Sequence, residues 1–154
     1  MMGFGQLKGL LARRGDLRFD RPVQTVELPQ DFEFVPMDEA VNDRVGAALA
    51  AVDIDTAGEL TFLVATVLEC LGAEPRPGST VVHILANPFG QYTYAFRDGE
   101  VTAQRSLDYV AAEGVPSEDM PINRVLRQLG VQRDGAPDEV TALGLDLPAP
   151  HPPG

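Results

Sequence analysis

Between Ser79 and Ser106 apolar and polar residues alternate in a way that spells out three adjacent strands. The segment reads STVVHILAN, PFG, QYTYAFR, DG, EVTAQRS. Asp98-Gly99 between two alternating runs is a two-residue hairpin signal, because a type I′ turn requires φ > 0 at both central positions. Counting outward from that turn pairs Arg97 with Glu100, Phe96 with Val101, Tyr94 with Ala103 and Tyr92 with Arg105. Tyr92, Tyr94 and Phe96 then face a core, with Arg105 over Tyr92. Thr93, Ala95, Thr102 and Gln104 lie on the opposite side, which the count leaves free to meet water. The preceding strand, with Val81, Val82, Ile84 and Leu85, is apolar on both faces, as an interior strand is. A four-residue loop at Asn87–Gly90 sets His83 opposite Tyr94. A one-residue bulge sets Val82 and Ile84 on the aromatic side instead.

Helical spacing is clearest over 56–72, where Leu60, Leu63, Val64, Val67, Leu68 and Leu71 recur on one face between a Thr56/Glu59 capping pair and Gly72. Val41, Val45, Ala48, Leu49 and Val52 mark a helix over 38–52 with Asp38 at its N-terminus. Ile122, Val125, Leu126 and Leu129 mark a third over 120–130, stopped by Gly130. Phe4, Leu7, Leu10 and Leu11 predict a short basic amphipathic helix ending at Gly15. Segments 23–28 and 31–35 alternate before prolines and predict short strands, Leu107–Ala112 predicts the start of a helix, and Val140–Leu147 predicts a last strand. The expected architecture is α+β: an antiparallel meander at about 79–106, extended by strands near 23–28 and 31–35 and packed against helices 38–52, 56–72 and 120–130. Residues 1–20 are read as an N-terminal arm, 21–147 as one domain, and the proline-rich 148–154 as a tail without packing logic of its own.

Charge changes this picture more than composition does. The 154 residues carry a net charge of −11, and residues 23–75 hold eleven acidic side chains against one basic. A field of that sign disfavours contact with nucleic-acid phosphates and favours a basic partner. One cysteine excludes an intramolecular disulfide and suits a reducing, cytoplasmic setting. The longest strongly apolar stretch, Leu60–Leu68, is far too short to cross a bilayer. Membrane contact is confined in this reading to the basic N-terminal arm, and it is the minor alternative to that arm docking on its own domain.

Chemical motifs are sparse. Asp53-Ile54-Asp55-Thr56-Ala57-Gly58-Glu59 starts like a calcium loop but offers Ala57 and Val64 where the fifth and twelfth ligands belong, so helix capping explains it better. Cys70 sits in an apolar helix without a neighbouring base. His83 and His151 stand far apart, so neither zinc nor a Cys-His pair is expected. The glycines match neither a dinucleotide fingerprint nor a phosphate-binding loop. No metal, cofactor or catalytic residue is assigned.

Two constellations remain. Asp38, Glu39, Asp43, Asp53, Asp55 and Glu59 form an acidic helical region suited to recognising a basic partner protein, in the manner of adaptors, chaperones or immunity proteins, and this is the leading expectation. His83, Tyr92, Tyr94 and Arg105 form an alternative small-molecule pocket, enzymatic or not, if the register brings them together. A self-associating subunit, such as a homodimer joined through a sheet edge, is the third reading.

Overall fold

The computed structural model describes residues 6–50, 56–109, 114–145 and 147, with side chains except at 48–50 and 56–61. Its centre is an antiparallel sheet of six strands in the order β3-β4-β1-β6-β7-β8. These are β1 (Leu7–Arg13), β3 (Val26–Glu27), β4 (Phe32–Pro36), β6 (Thr80–Asn87), β7 (Gly90–Arg97) and β8 (Glu100–Asp108). A separate pair joins β2 (Leu17–Phe19) to β5 (Ala73–Pro75). Helices α1 (Glu39–Ala50) and α2 (Thr56–Leu71) cover one face of the main sheet, and α3 (Pro121–Leu129) and α4 (Glu139–Leu143) the other.

Two apolar cores result, one on each side of the sheet. On the first face Leu10, Val35, Val81 and Phe96 meet Val41, Val45, Val64 and Val67 of α1 and α2. On the second, Leu11, Phe34, Val82, Ile84 and Ala95 meet Ile122, Val125 and Leu126 of α3 and Val140 and Leu143 of α4. The interior strands β1 and β6 therefore carry apolar residues on both faces, because successive side chains point into different cores.

The meander and the helices over 38–52, 56–72 and 120–130 stand close to where the sequence puts them, and the strands near 23–28 and 31–35 are β3 and β4. Three expectations are corrected. Residues 7–13 are not an amphipathic helix in an arm but β1, paired with β4 and β6 in the middle of the sheet. Its Gly9 explains why a glycine stands there: an added Cβ would collide with the Val35 carbonyl oxygen and the Phe34 ring. Residues 139–143 form α4 rather than a strand, because Asp138 accepts a hydrogen bond from the Thr141 amide at 2.8 Å and Gly144 turns the chain out at φ 76°. Leu107, expected to open a helix, instead continues β8 to Asp108; the rest of that expected helix reaches residues 110–113, outside the described ones, as does the tail from 148.

The register between β6 and β7 follows the four-residue loop: Ala86 faces Gln91 and His83 faces Tyr94. The register between β7 and β8 departs from the simple count. Phe96 faces Val101 as expected, but Ala95 faces Ala103, leaving Thr102 as an extra residue. This β-bulge exchanges the faces of everything after it on β8. Arg105 comes to face Thr93, and Tyr92 faces Ser106. The second side of β7 does not meet water either, since Thr93 is fully buried and Ala95 nearly so beneath α3.

Candidate functional site

Two cross-strand rows build the floor of a recess under α1 and α2. One runs Lys8–Leu85–Tyr92 across β1, β6 and β7, and the next runs Leu10–His83–Tyr94. All six side chains share a face because Lys8 and Leu10, Leu85 and His83, and Tyr92 and Tyr94 are each two residues apart. Met37, Val45, Leu63 and Val67 supply apolar walls, enclosing about 230 Å³. Lys8, Leu85, Tyr92 and Tyr94 are half-buried, while His83 is 5 % exposed.

His83 is the chemically unusual member. Its ring stacks on Tyr94 with centroids 5.6 Å apart and planes 24° apart. Neither Nδ1 nor Nε2 has a hydrogen-bond partner. Burial, and after it the positive charge of Lys8, pushes its pKa down to about 4, so the ring is neutral at pH 7. A neutral imidazole carries one N–H donor and one acceptor nitrogen, both unused here. Burial likewise lowers the Lys8 pKa from the ordinary lysine value. The His83 backbone is firmly held, its carbonyl accepting from the buried Thr93 hydroxyl at 2.9 Å.

Arg105 does not join this group. The bulge sends it to the α3 face, where its Nε is buried without a partner, so the expected contact with Tyr92 is not made. A cation–π contact is made instead by Arg13 over Phe32, at 4.7 Å from the ring centroid. Lys8 takes the place expected of Arg105. In a helix over 4–11 nothing would connect it to His83. The alternation of a strand interior to the sheet was the available signal.

A recess of about 470 Å³ on the α3 face, bordered by Arg13, Ser79, Thr102 and Gln128, is larger. Three of its polar groups already have work. Arg13 donates to the Leu129 carbonyl at 3.1 Å, Ser79 to Arg76 and Thr102 to Ala95. It offers no unpartnered buried side chain comparable to His83.

In the acidic region, Asp38 caps α1 by accepting from the Val41 amide at 2.9 Å. Glu39 and Asp43, four residues apart on α1, are exposed. Asp53 and Asp55 lie outside the described residues, as does the side chain of Glu59. Among the described residues no cluster of His, Cys, Asp or Glu is arranged to hold a metal, and no helix is long and apolar enough to cross a membrane. No protein-family model, curated protein or solved structure matches the chain.

Proposed function

We propose that this chain is a small-molecule-binding protein whose site is the recess between the sheet and helices α1 and α2. The observation that supports this reading is His83, a buried ring with two unpartnered nitrogens on the wall of a largely apolar hollow. Leaving a buried polar group unsatisfied costs about 1–3 kcal/mol, and a native fold that keeps such a group invites an explanation beyond packing. A ligand bringing one acceptor or one donor satisfies it. At about 230 Å³ the hollow is near the small end of ligand pockets, which suits a compact molecule.

The test is a fragment screen by protein NMR. Binding should move the amide signals of Lys8, His83, Leu85 and Tyr94, and Tyr94→Ala should weaken it. Arg105→Ala serves as the control, since Arg105 lies on the far face and its loss should leave the response intact. Hits that perturb only other surfaces, or that ignore Tyr94→Ala, overturn the assignment.

A second reading keeps a basic protein partner for the acidic helices, in the cytoplasm. It is favoured by Glu39 and Asp43, exposed four residues apart without an ion pair among the described residues. Reversing Glu39 and Asp43 to lysine should weaken such binding and flatten its salt dependence, while Asp38 is left alone because it caps α1. Binding that ignores both salt and reversal rules this reading out.

A further inference from the structure

We infer that the recess takes an apolar carboxylate, its anionic group held by the ammonium of Lys8 with the His83 ring beside it. The inference rests on the recess being the site. Lys8 is the single lysine of a chain with 23 acidic residues, yet among the described residues it makes no ion pair. It stands on the same sheet face as His83, one row away, half-buried against Met37 and Leu85. Glu39 borders the neighbouring hollow that also touches Lys8, but it is exposed and makes no ion pair among the described residues, so water screens its pull.

A half-desolvated cation without a partner favours an incoming anion and repels an amine. Charge then selects among anions. The one ammonium balances the single charge of a carboxylate, and the imidazole is a further hydrogen-bonding group on the same wall. A phosphate would bring a second charge that no other cation in the lining neutralises. The remaining surface, Val45, Leu63, Val67 and the two tyrosine rings, receives an aromatic or short aliphatic body.

Benzoate and octanoate are the probes, and benzamide is the uncharged counterpart of benzoate. By isothermal titration, benzoate should bind at least about tenfold more tightly than benzamide, the minimum expected of a charge-assisted hydrogen bond. Lys8→Met should abolish that preference and Lys8→Arg should retain most of it. Saturating benzoate should also slow modification of Lys8 by trinitrobenzenesulfonate in the unaltered protein, a readout that needs no variant to fold. If benzoate and benzamide bind alike at the recess and Lys8→Met changes nothing, the carboxylate inference falls while the pocket stands. A benzoate preference that survives Lys8→Met places the anion elsewhere and overturns the inference. If neither probe binds and Lys8 labelling is unaffected, the inference falls, and a fragment screen that also finds no ligand at the recess removes the pocket with it.

Discussion

Arg105 faces Thr93 across β7 and β8, one residue away from the Tyr92 that symmetrical counting from the Asp98-Gly99 turn assigns to it. The displacement comes from Thr102, whose hydroxyl donates to the Ala95 carbonyl at 3.2 Å where the ladder slips. One extra residue thereby decides which face of the sheet each later side chain of β8 takes. It keeps a guanidinium away from the His83 recess and leaves Lys8 as the cation there.

Thr102 accordingly has two separable roles. Thr102→Val removes the hydroxyl but keeps the residue count, and should cost about 1 kcal/mol by urea unfolding. Deleting Thr102 takes out the extra residue but leaves Phe96–Val101 and Ala95–Ala103 as consecutive pairs, so residues 103–108 keep their partners and faces and the loss should stay near about 1–2 kcal/mol. A loss several times larger on deletion would show that the ladder needs the bulge itself and not only the pairing it sets.

What the sequence made legible follows from where the signals are local. A two-residue Asp-Gly turn, a capped 0-3-4-7 helix and a glycine after Leu129 each act within a few residues, and the structure places β7, β8, α2 and α3 accordingly. The bulge uses Thr102, an ordinary residue with no turn chemistry, so counting could not reveal it. β1 was misread because an interior strand and a short buried helix both present a brief apolar run. Gly9 disfavours a helix but permits close packing of β1 against Phe34 and Val35. With β1 read as a helix, the row joining Lys8, Leu85 and Tyr92 could not be assembled, and half of the candidate site was lost with it. For α4 the local signals are present, Asp138 three residues before Thr141 and Gly144 after Leu143, and they make a helix where Val140–Leu147 predicts a strand.

The His83 environment makes stability depend on mild acid. Its folded pKa of about 4 lies below the unfolded value near 6.5, so as pH falls through that window the unfolded chain takes up a proton the folded chain refuses. Stability is full above about 6.5 and declines towards 4, by about 3 kcal/mol for this group. His83→Phe, which keeps the ring against Tyr94, should lack this component, so the melting temperatures of the two proteins should converge as pH falls from 7 to 4.5 if the wild type starts higher, or separate if it starts lower. A constant difference across that range would contradict the assignment.

Glu139 of α4 ties together Arg127 of α3 and Arg133 of the loop after it on the opposite face. Its side chain is 2 % exposed, and its Oε2 accepts from Arg127 Nε at 3.1 Å and Arg133 Nε at 3.0 Å. Burial would push its pKa up, but hydrogen bonds from the two arginines outweigh that and hold it below the ordinary value. Its contribution is therefore present above the unfolded carboxyl pKa and is lost as pH falls through the lower folded one. Both arginines are partly exposed and rehydrate when released, so Glu139→Ala should cost about 2 kcal/mol, less than a fully buried pair. Chemical denaturation at pH 7 measures it. The variant should also lose part of the acid-dependent stability below pH 4.5.

Gly9 tests the placement of β1 most directly. In a basic arm outside the sheet, Gly9→Ala would be harmless or mildly stabilising, since alanine favours a helix by about 1 kcal/mol. In the middle of β1 the added methyl meets the Val35 carbonyl and the Phe34 ring, one of them backbone and unable to swing aside. Overpacking of this kind should cost about 3 kcal/mol. It should also force β1 away from β4, which pairs with it from Gly9–Pro36 to Arg13–Phe32. Hydrogen exchange in Gly9→Ala should therefore quicken along β4 and β1 before it quickens in the β7–β8 hairpin. Because Lys8 precedes Gly9 and Leu10 follows it, the same substitution should disturb the recess, so benzoate binding should weaken even where the variant remains folded.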